Sequence, residues 1–429
     1  MSPATEFRAD ADWARAQDEH DPLRRWRDEF LIPPHDGGEQ AYLVGNSLGL
    51  QPRGVRQAML DELDDWARLG VEGHLHARHP WLPYHREVRD GLADVVGAEP
   101  GEVVAMNSLT ANLHLLMVSF YRPTPERHAI LIERHAFPSD RDLAASQIRF
   151  HGLDPSEALI ELDADETGGT LSMAAIERVL GEHGQRIALV LWPGVQYLTG
   201  QAFDIRAITR LAHAQGCTVG FDCAHAAGNI SLALHDAGCD FAAWCSYKYL
   251  NSGPGAVAGA FVHARHAHAR LQRFEGWWGR NQATRFEMRP EFDPAPGAEA
   301  WQLSNPPILA LAPLRVSLDL FRRAGMASLR AKSRRLTAYL AWLIETQLGD
   351  VLEVLTPAEP ERRGAQLSLR VRAGRDAGKS LFEHLVARGV LGDWREPDVV
   401  RVAPAPLYNT YVDCLRCAEA VRAWRSLTT

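Results

Sequence analysis

Between residues 100 and 265 the chain alternates short apolar runs with longer amphipathic ones, and this limits the fold more than any other feature. VVAMN (103–107), HAILIE (128–133), IALVLWPG (187–194), CTVGFDCAH (217–225) and DFAAWCS (240–246) read as strands. LTANLHLLMVSFY, DRDLAASQIRF and DIRAITRLAHAQG, lying between them, read as helices. Short apolar strands separated by helices predict an α/β fold with a mostly parallel sheet covered on both faces. Pro- and Gly-rich segments, 289-RPEFDPAPGAEA-300 and 305-NPPI-308, then break the pattern. A helical stretch over about 308–348 follows. After it, AQLSLRVR, GKSLFEHLVARG, VVRVAP and YVDCLRCAEAVRAWRSL predict a smaller α+β domain. The expected division is an N-terminal segment over 1–45 packed on the small domain, a large domain over 46–308 and a small C-terminal domain over 309–429.

Composition narrows the function. A chain of 429 residues, 46% of them hydrophobic, has room for more than one core. A net charge of -8 does not suit a nucleic-acid partner. No apolar run approaches the ~20 residues that span a bilayer. The start, MSPATEFRADADWARAQDEHD, is polar and acidic, without a signal-peptide core, so a cytoplasmic protein is expected. Six scattered cysteines fit a reducing compartment. Cys414 and Cys417 have the spacing of half a zinc site but no second pair. The run 263-HARHAHAR-270 reads as an exposed helix start with a solvated face. No metal site is expected.

The chemistry centres on 244-WCSYKYLNSGPGA-256, where Lys248 stands between two tyrosines. Such a lysine either snorkels at a strand end or is a reactive amine in a partly desolvated site. Asp222 ends the strand before it, and ligands of open α/β sheets bind at the carboxyl ends of strands. A lysine and a carboxylate on one sheet edge suit pyridoxal phosphate: the amine forms a Schiff base, and the carboxylate pairs with the pyridinium nitrogen. The turn 107-NSLTAN-112 offers helix N-terminal amides and the Thr110 hydroxyl to a phosphate; an ordinary N-cap by Ser108 or Thr110 is the alternative. In 135-HAFPSD-140, Phe137 can stack on a cofactor ring, or the segment is a plain loop capped by Ser139 or Asp140. Tyr247 can bond the phosphate or move a proton, and the small residues after Lys248 let backbone approach.

With these residues in view, the sequence resembles the kynureninases, pyridoxal-phosphate enzymes of aminotransferase-like fold. The matching segments include 43-LVGNSLG-49, 137-FPSD-140, 197-YLTGQ-201, 219-VGFDCAHAAGN-229, 239-CDFAAWCSYKYLNSGPGA-256, 276-GWWG-279, 304-SNPPI-308, 395-RE-396 and 401-RVAPAPLYN-409. The resemblance implies the fold type I architecture of pyridoxal-phosphate-dependent transferases. It implies hydrolytic Cβ–Cγ cleavage of L-kynurenine or 3-hydroxy-L-kynurenine, giving alanine and an anthranilate, and a homodimer whose active site is shared between subunits. Lys248 matches the Schiff-base lysine and Asp222 the pyridinium partner. Leu109 and Thr110 match the phosphate turn; Phe137, Pro138, Ser139 and Asp140 the ring-stacking segment; His225 and Tyr247 further cofactor contacts. Trp277 and Asn305 match groups reaching in from the other subunit. Ser47, His74, Asn305 and Arg401 match substrate contacts, with Arg401 gripping the α-carboxylate. His74 and Asn305 match members that prefer the 3-hydroxy substrate. Pro193 departs, standing where some relatives place a serine. Two rivals are a cysteine desulfurase of the same fold, which needs a cysteine on a mobile loop, and a non-catalytic regulator, which needs a basic DNA-binding extension.

Overall fold

The computed structural model describes residues 7–166 and 168–428; the first six residues of the polar N-terminal segment lie outside it. Among the described residues, seven strands make the large sheet: β1 (Val103–Ala105), β2 (Ala129–Glu133), β3 (Leu159–Leu162), β4 (Ile187–Pro193), β5 (Thr218–Asp222), β6 (Phe241–Trp244) and β7 (Gly259–Val262). Their order is β1-β7-β6-β5-β4-β2-β3. Strand β7 runs antiparallel to both neighbours, and the other pairings are parallel. The sheet is thus mostly parallel, as the alternation predicts. Strands β3 and β7 were not singled out in the sequence.

Alternate residues of one strand enter different cores. Ala129 and Leu131 of β2 join one apolar cluster, while Ile130 and Ile132 join another on the opposite face. After α1 (Ala11–His20) and α2 (Gly54–Leu69), helices α3 (Leu109–Phe120) and α4 (Pro138–Phe150) cover the second face; α5 (Met173–His183) and α6 (Ile205–Ala214) cover the first. Burial on both faces explains why the strands read as continuous apolar runs rather than as alternating ones.

The helical stretch after residue 308 is two helices, α7 (Ile308–Ala324) and α8 (Met326–Gln347), broken at Gly325 with φ 79°. The small sheet follows: β8 (Leu352–Val354), β9 (Leu367–Val371), β10 (Asp393–Arg395) and β11 (Val399–Val402), antiparallel in the order β8-β9-β11-β10. Its core is shared with α8, with α9 (Arg375–Ala387), with α10 (Tyr411–Thr428) and with Ala14, Ala41 and Leu43 of the N-terminal segment. Asp18 accepts the Tyr411 and Val412 amides at 2.7 and 3.1 Å, satisfying the start of α10. Lys332 and Asp21 form a buried ion pair at 2.7 Å.

The histidine run is solvated only in part: Arg265, His268 and Arg270 are exposed, while His263 and His266 are half-buried against carboxylates. Ala264–His266 is one short 3-10 turn. His266 and Arg265 meet Asp240 at 2.8 and 2.5 Å, and His213 meets it at 2.9 Å. His263 stands 3.7 Å from the buried Glu102, which His235 approaches at 2.9 Å. Buried carboxylates need such partners, and these two recruit the run. Glu102 is further engaged by the Glu99 and Ala264 amides, and His263 Nδ1 accepts the Arg265 amide. Cys414 and Cys417 are buried on α10. No helix among the described residues is long and apolar enough to cross a membrane.

Packing between β5 and β6 is tight. A Cβ on Gly220 would lie 2.1 Å from the Phe241 ring. Gly220→Ala is expected to cost about 1–3 kcal/mol in denaturant unfolding, the usual range for overpacking. An unchanged midpoint would mean that the two strands yield freely.

Candidate active site

Parallel strands bring their carboxyl ends to one edge, and the register aligns Asp222 with Pro193 on one side and Ala243 on the other. A cavity of about 410 Å³ opens there. Its wall includes the ends of β2, β4 and β5, the loop after β6, the start of α3, and β10 and β11 of the small domain.

Lys248 is half-buried, and its Nζ is hydrogen-bonded with His225 Nε2 at 2.9 Å. Burial holds the lysine below its ordinary pKa, while Cys245 and Asp222 pull the other way. His225 is pushed well below the usual imidazole range by burial and then by Lys248, so it stays neutral. Its Nδ1 is buried and finds no hydrogen-bond partner among the described residues. Asp222 accepts the Ala224 amide at 2.7 Å. Asp140 is hydrogen-bonded to Asp222, and burial plus that neighbouring charge raise its pKa well above the carboxylate range. Glu133, at the end of β2, is pushed up to about 8, mainly by burial and also by Asp222, against a hydrogen bond with Gln196.

The start of α3 also faces the cavity through Ser108, Leu109 and Thr110. Ser108 holds the N-cap position with extended backbone, but its side chain does not cap the helix. The capping alternative therefore fails, and the amides are left for another partner. The start of α4 carries no side-chain cap from Ser139 or Asp140 either: its N-cap residue is Phe137, with Pro138 at the first helical position. Phe137 lines the cavity, 38% exposed, its ring 6.0 Å from Lys248 Nζ. Tyr247 lines it too, with its hydroxyl pKa raised, chiefly by burial.

The approach of backbone takes a different form from the one expected. Gly253 and Gly255 have φ of 89° and 71° and open space at their Cβ positions, so conformation demands glycine there. The close approach belongs to Gly49, where a Cβ would sit 2.4 Å from the Lys248 carbonyl oxygen.

Arg401, on β11, is 1% exposed. Its Nε donates to Asp393 Oδ1 at 2.6 Å, its Nη2 to Asp393 Oδ2, and its Nη1 to the Tyr197 carbonyl at 2.6 Å. Ser47, Pro193, Tyr197 and Arg395 complete this side of the cavity. Pro193 presents no hydroxyl there. Four residues expected at the site do not line this chain's cavity: His74, half-buried and edge-on to Trp81; Pro138, at the first position of α4; Trp277, 41% exposed; and Asn305, exposed in the loop before α7. Sequence reasoning missed Glu133, Cys245, Arg395 and Asp393. The first three line the cavity, and Asp393 pairs with Arg401. Glu133 and Arg395 each follow or lie within segments quoted above, HAILIE and RE.

Comparison with known proteins places the chain. Residues 329–421 match the family described as Kynureninase C-terminal domain, and residues 81–239 match the DegT/DnrJ/EryC1/StrS aminotransferase family. The kynureninase of Xanthomonas euvesicatoria is 64% identical over 96% of this chain and 97% of its own length. That of Stenotrophomonas maltophilia is 62% identical over 96% of this chain and 98% of its own. Among solved structures, the cysteine desulfurase CsdA of Escherichia coli superposes with a TM-score of 0.75 at 16% identity, covering 94% of this chain and 98% of that one. That likeness shows the fold alone. Near-full-length identity above 60% decides between the two, and the chain belongs to the kynureninase family.

Proposed function

We propose that this protein hydrolyses the Cβ–Cγ bond of L-kynurenine or its 3-hydroxy derivative, with pyridoxal phosphate as cofactor and as a homodimer. The observation that carries the reading is the buried amine of Lys248 facing a carboxyl pair across a cavity that also holds Arg401. The residues fit the cofactor. The unpaired Nδ1 of His225 and the uncapped start of α3 are polar groups awaiting a ligand. Asp222 would hold the ring nitrogen, Phe137 the ring face, and Leu109 and Thr110 the phosphate, with Ser139 beside them. We take the division at residues 45 and 308 as separating the N-terminal segment, the cofactor domain and the small domain.

Pyridoxal phosphate supplies an aldehyde for Schiff-base formation and an electron-withdrawing ring. The chain supplies proton management and orientation. The lowered pKa of Lys248 keeps a larger share of free amine at neutral pH, suited to taking the Cα proton. Asp140 takes a proton rather than a second charge beside Asp222. Tyr247 stays protonated and is the candidate donor toward the β-carbon. Arg401 binds the α-carboxylate, and Ser47 lies beside it. Trp277 and Asn305, outside the cavity of their own chain, would serve the partner's site, and His74 would be a substrate contact.

The chain has three lysines; Lys332 is paired with Asp21, and Lys379 lies 5.5 Å from the Trp394 ring. The test is anthranilate release from L-kynurenine by the wild type, lost in Lys248→Ala with the fold retained by circular dichroism. Substantial turnover by that variant would remove Lys248 from the mechanism.

A preference for 3-hydroxykynurenine is expected. His74 and Asn305 match members that prefer that substrate, and both side chains carry groups that can bond a hydroxyl. A site built to bond a hydroxyl rejects the analogue lacking it. Competing substrates on the wild type and on the His74→Trp, Asn305→Thr double variant decide it. The ratio of kcat/KM should fall by about tenfold or more toward kynurenine; a wild type preferring kynurenine sinks the assignment.

Glu133 makes stability depend on pH. Its folded pKa of about 8 lies above its ordinary value of 4.5, so the folded state binds the proton more tightly. Stability from this group is full below 4.5 and is lost as pH rises through about 8. In cofactor-free protein, Glu133→Gln should match the wild type in Tm at low pH and gain on it progressively toward pH 8. Parallel Tm curves would mean that Glu133 is ionised throughout.

A further inference from the structure

Asp393 stands directly opposite Arg401 in the antiparallel pair of β10 and β11, and Arg395 lies two residues further along the same strand face. An arginine has five N–H donors in a planar fork. Asp393 takes the Nε and one Nη2 donor of Arg401, and the Tyr197 carbonyl takes one of Nη1. One N–H therefore remains on each of Nη1 and Nη2. A carboxylate bonds best to two such parallel donors. The guanidinium is 1% exposed and cannot shed its proton, so its charge needs a fixed counter-ion. Asp393 also reaches Arg395 Nη2 at 3.4 Å, and the Nε of Arg395 is buried without a partner among the described residues.

We infer that Asp393 is a positioning residue of the substrate-carboxylate clamp: it holds one edge of Arg401 and the tip of Arg395, so that the remaining Arg401 donors meet the α-carboxylate. Asp393 touches no reacting atom. It acts through the plane and the charge balance of Arg401. The inference rests on the reaction proposed above, and it deepens that reading by naming the group that fixes the clamp.

The test uses holoenzyme carrying Asp393→Asn or Asp393→Glu, with two ligands: L-kynurenine, and its decarboxylated amine, which keeps the aryl ketone and loses the carboxylate. In Asp393→Asn the KM for L-kynurenine should rise at least about tenfold while kcat stays within about threefold, the pattern of lost uniform binding. Inhibition by the decarboxylated amine should move less than about twofold, because that ligand never meets Arg401. Asp393→Glu, which keeps the charge, should recover most of the KM. A KM that is unchanged overturns the inference, and so does one that falls, since Asp393 would then be competing with substrate for Arg401. Equal weakening of both ligands also overturns it, because a collapsed cavity does not distinguish them. If Asp393→Asn proves too unstable to isolate, the ratio of the two ligands' affinities in Asp393→Glu against the wild type decides. That ratio should stay within about threefold, and a shift beyond it with KM raised more than kcat is lowered refutes rescue by charge. Failure of the wild type to cleave L-kynurenine would strike the reaction itself, which is read from the wild type alone.

Discussion

Charge balance at the carboxyl edge of the large sheet is the constraint on which the rest depends. Glu133, Asp140 and Asp222 share one cavity with Lys248, Arg395 and Arg401. An isolated buried charge costs several kcal/mol, so each group must find an opposite or change its protonation. Asp140 and Glu133 rise in pKa and Lys248 falls. His225 stays neutral and is hydrogen-bonded with the amine. The two arginines cannot adapt in this way, and both meet one carboxylate, Asp393, with Arg401 bound to it through two donors. The cavity is therefore divided into an adjustable end around Lys248 and a fixed end around Arg401.

The large sheet was legible because its strands are buried on both faces and so appear as short apolar runs between helices. Strand β7 was not, since GAFV is short and begins with a glycine that lies against Trp244. The histidine run misled for a related reason. Its partners, Glu102 and Asp240, are distant in sequence and become neighbours only when the strands pair. Spacing alone made it look wholly solvated.

At the site, Lys248, Asp222, Thr110 and Phe137 followed from one rule, that ligands sit at the carboxyl ends of parallel strands. Glu133 obeys the same rule, yet a glutamate ending an apolar strand looks like ordinary punctuation until its burial is known. Asp393 and Arg395 needed the register of β10 against β11, which no local pattern carries. His74, Trp277 and Asn305 came from resemblance alone, and none of them lines the cavity of this chain.

The fixed end of the cavity also explains how the two domains are joined. The turn after β4 is tied internally, with Gln196 Oε1 accepting the Leu198 and Thr199 amides at 2.6 and 2.7 Å. The small domain grips that turn through directional bonds: Gln366 to the Tyr197 carbonyl at 3.0 Å, Ser368 to Leu198 at 2.5 Å, and Thr356 to Thr199 at 2.6 Å. Arg401 joins the same set through Tyr197. An apolar interface is non-directional and would hold the domains together while letting them slide. A row of buried hydrogen bonds with fixed geometry does not slide without leaving polar groups unpaired. Because Gln196 also meets Glu133, the row runs from the carboxyl cluster to Arg401. The positions of Lys248 and Arg401 are then tied to one another by polar contacts between the large and the small sheet domains.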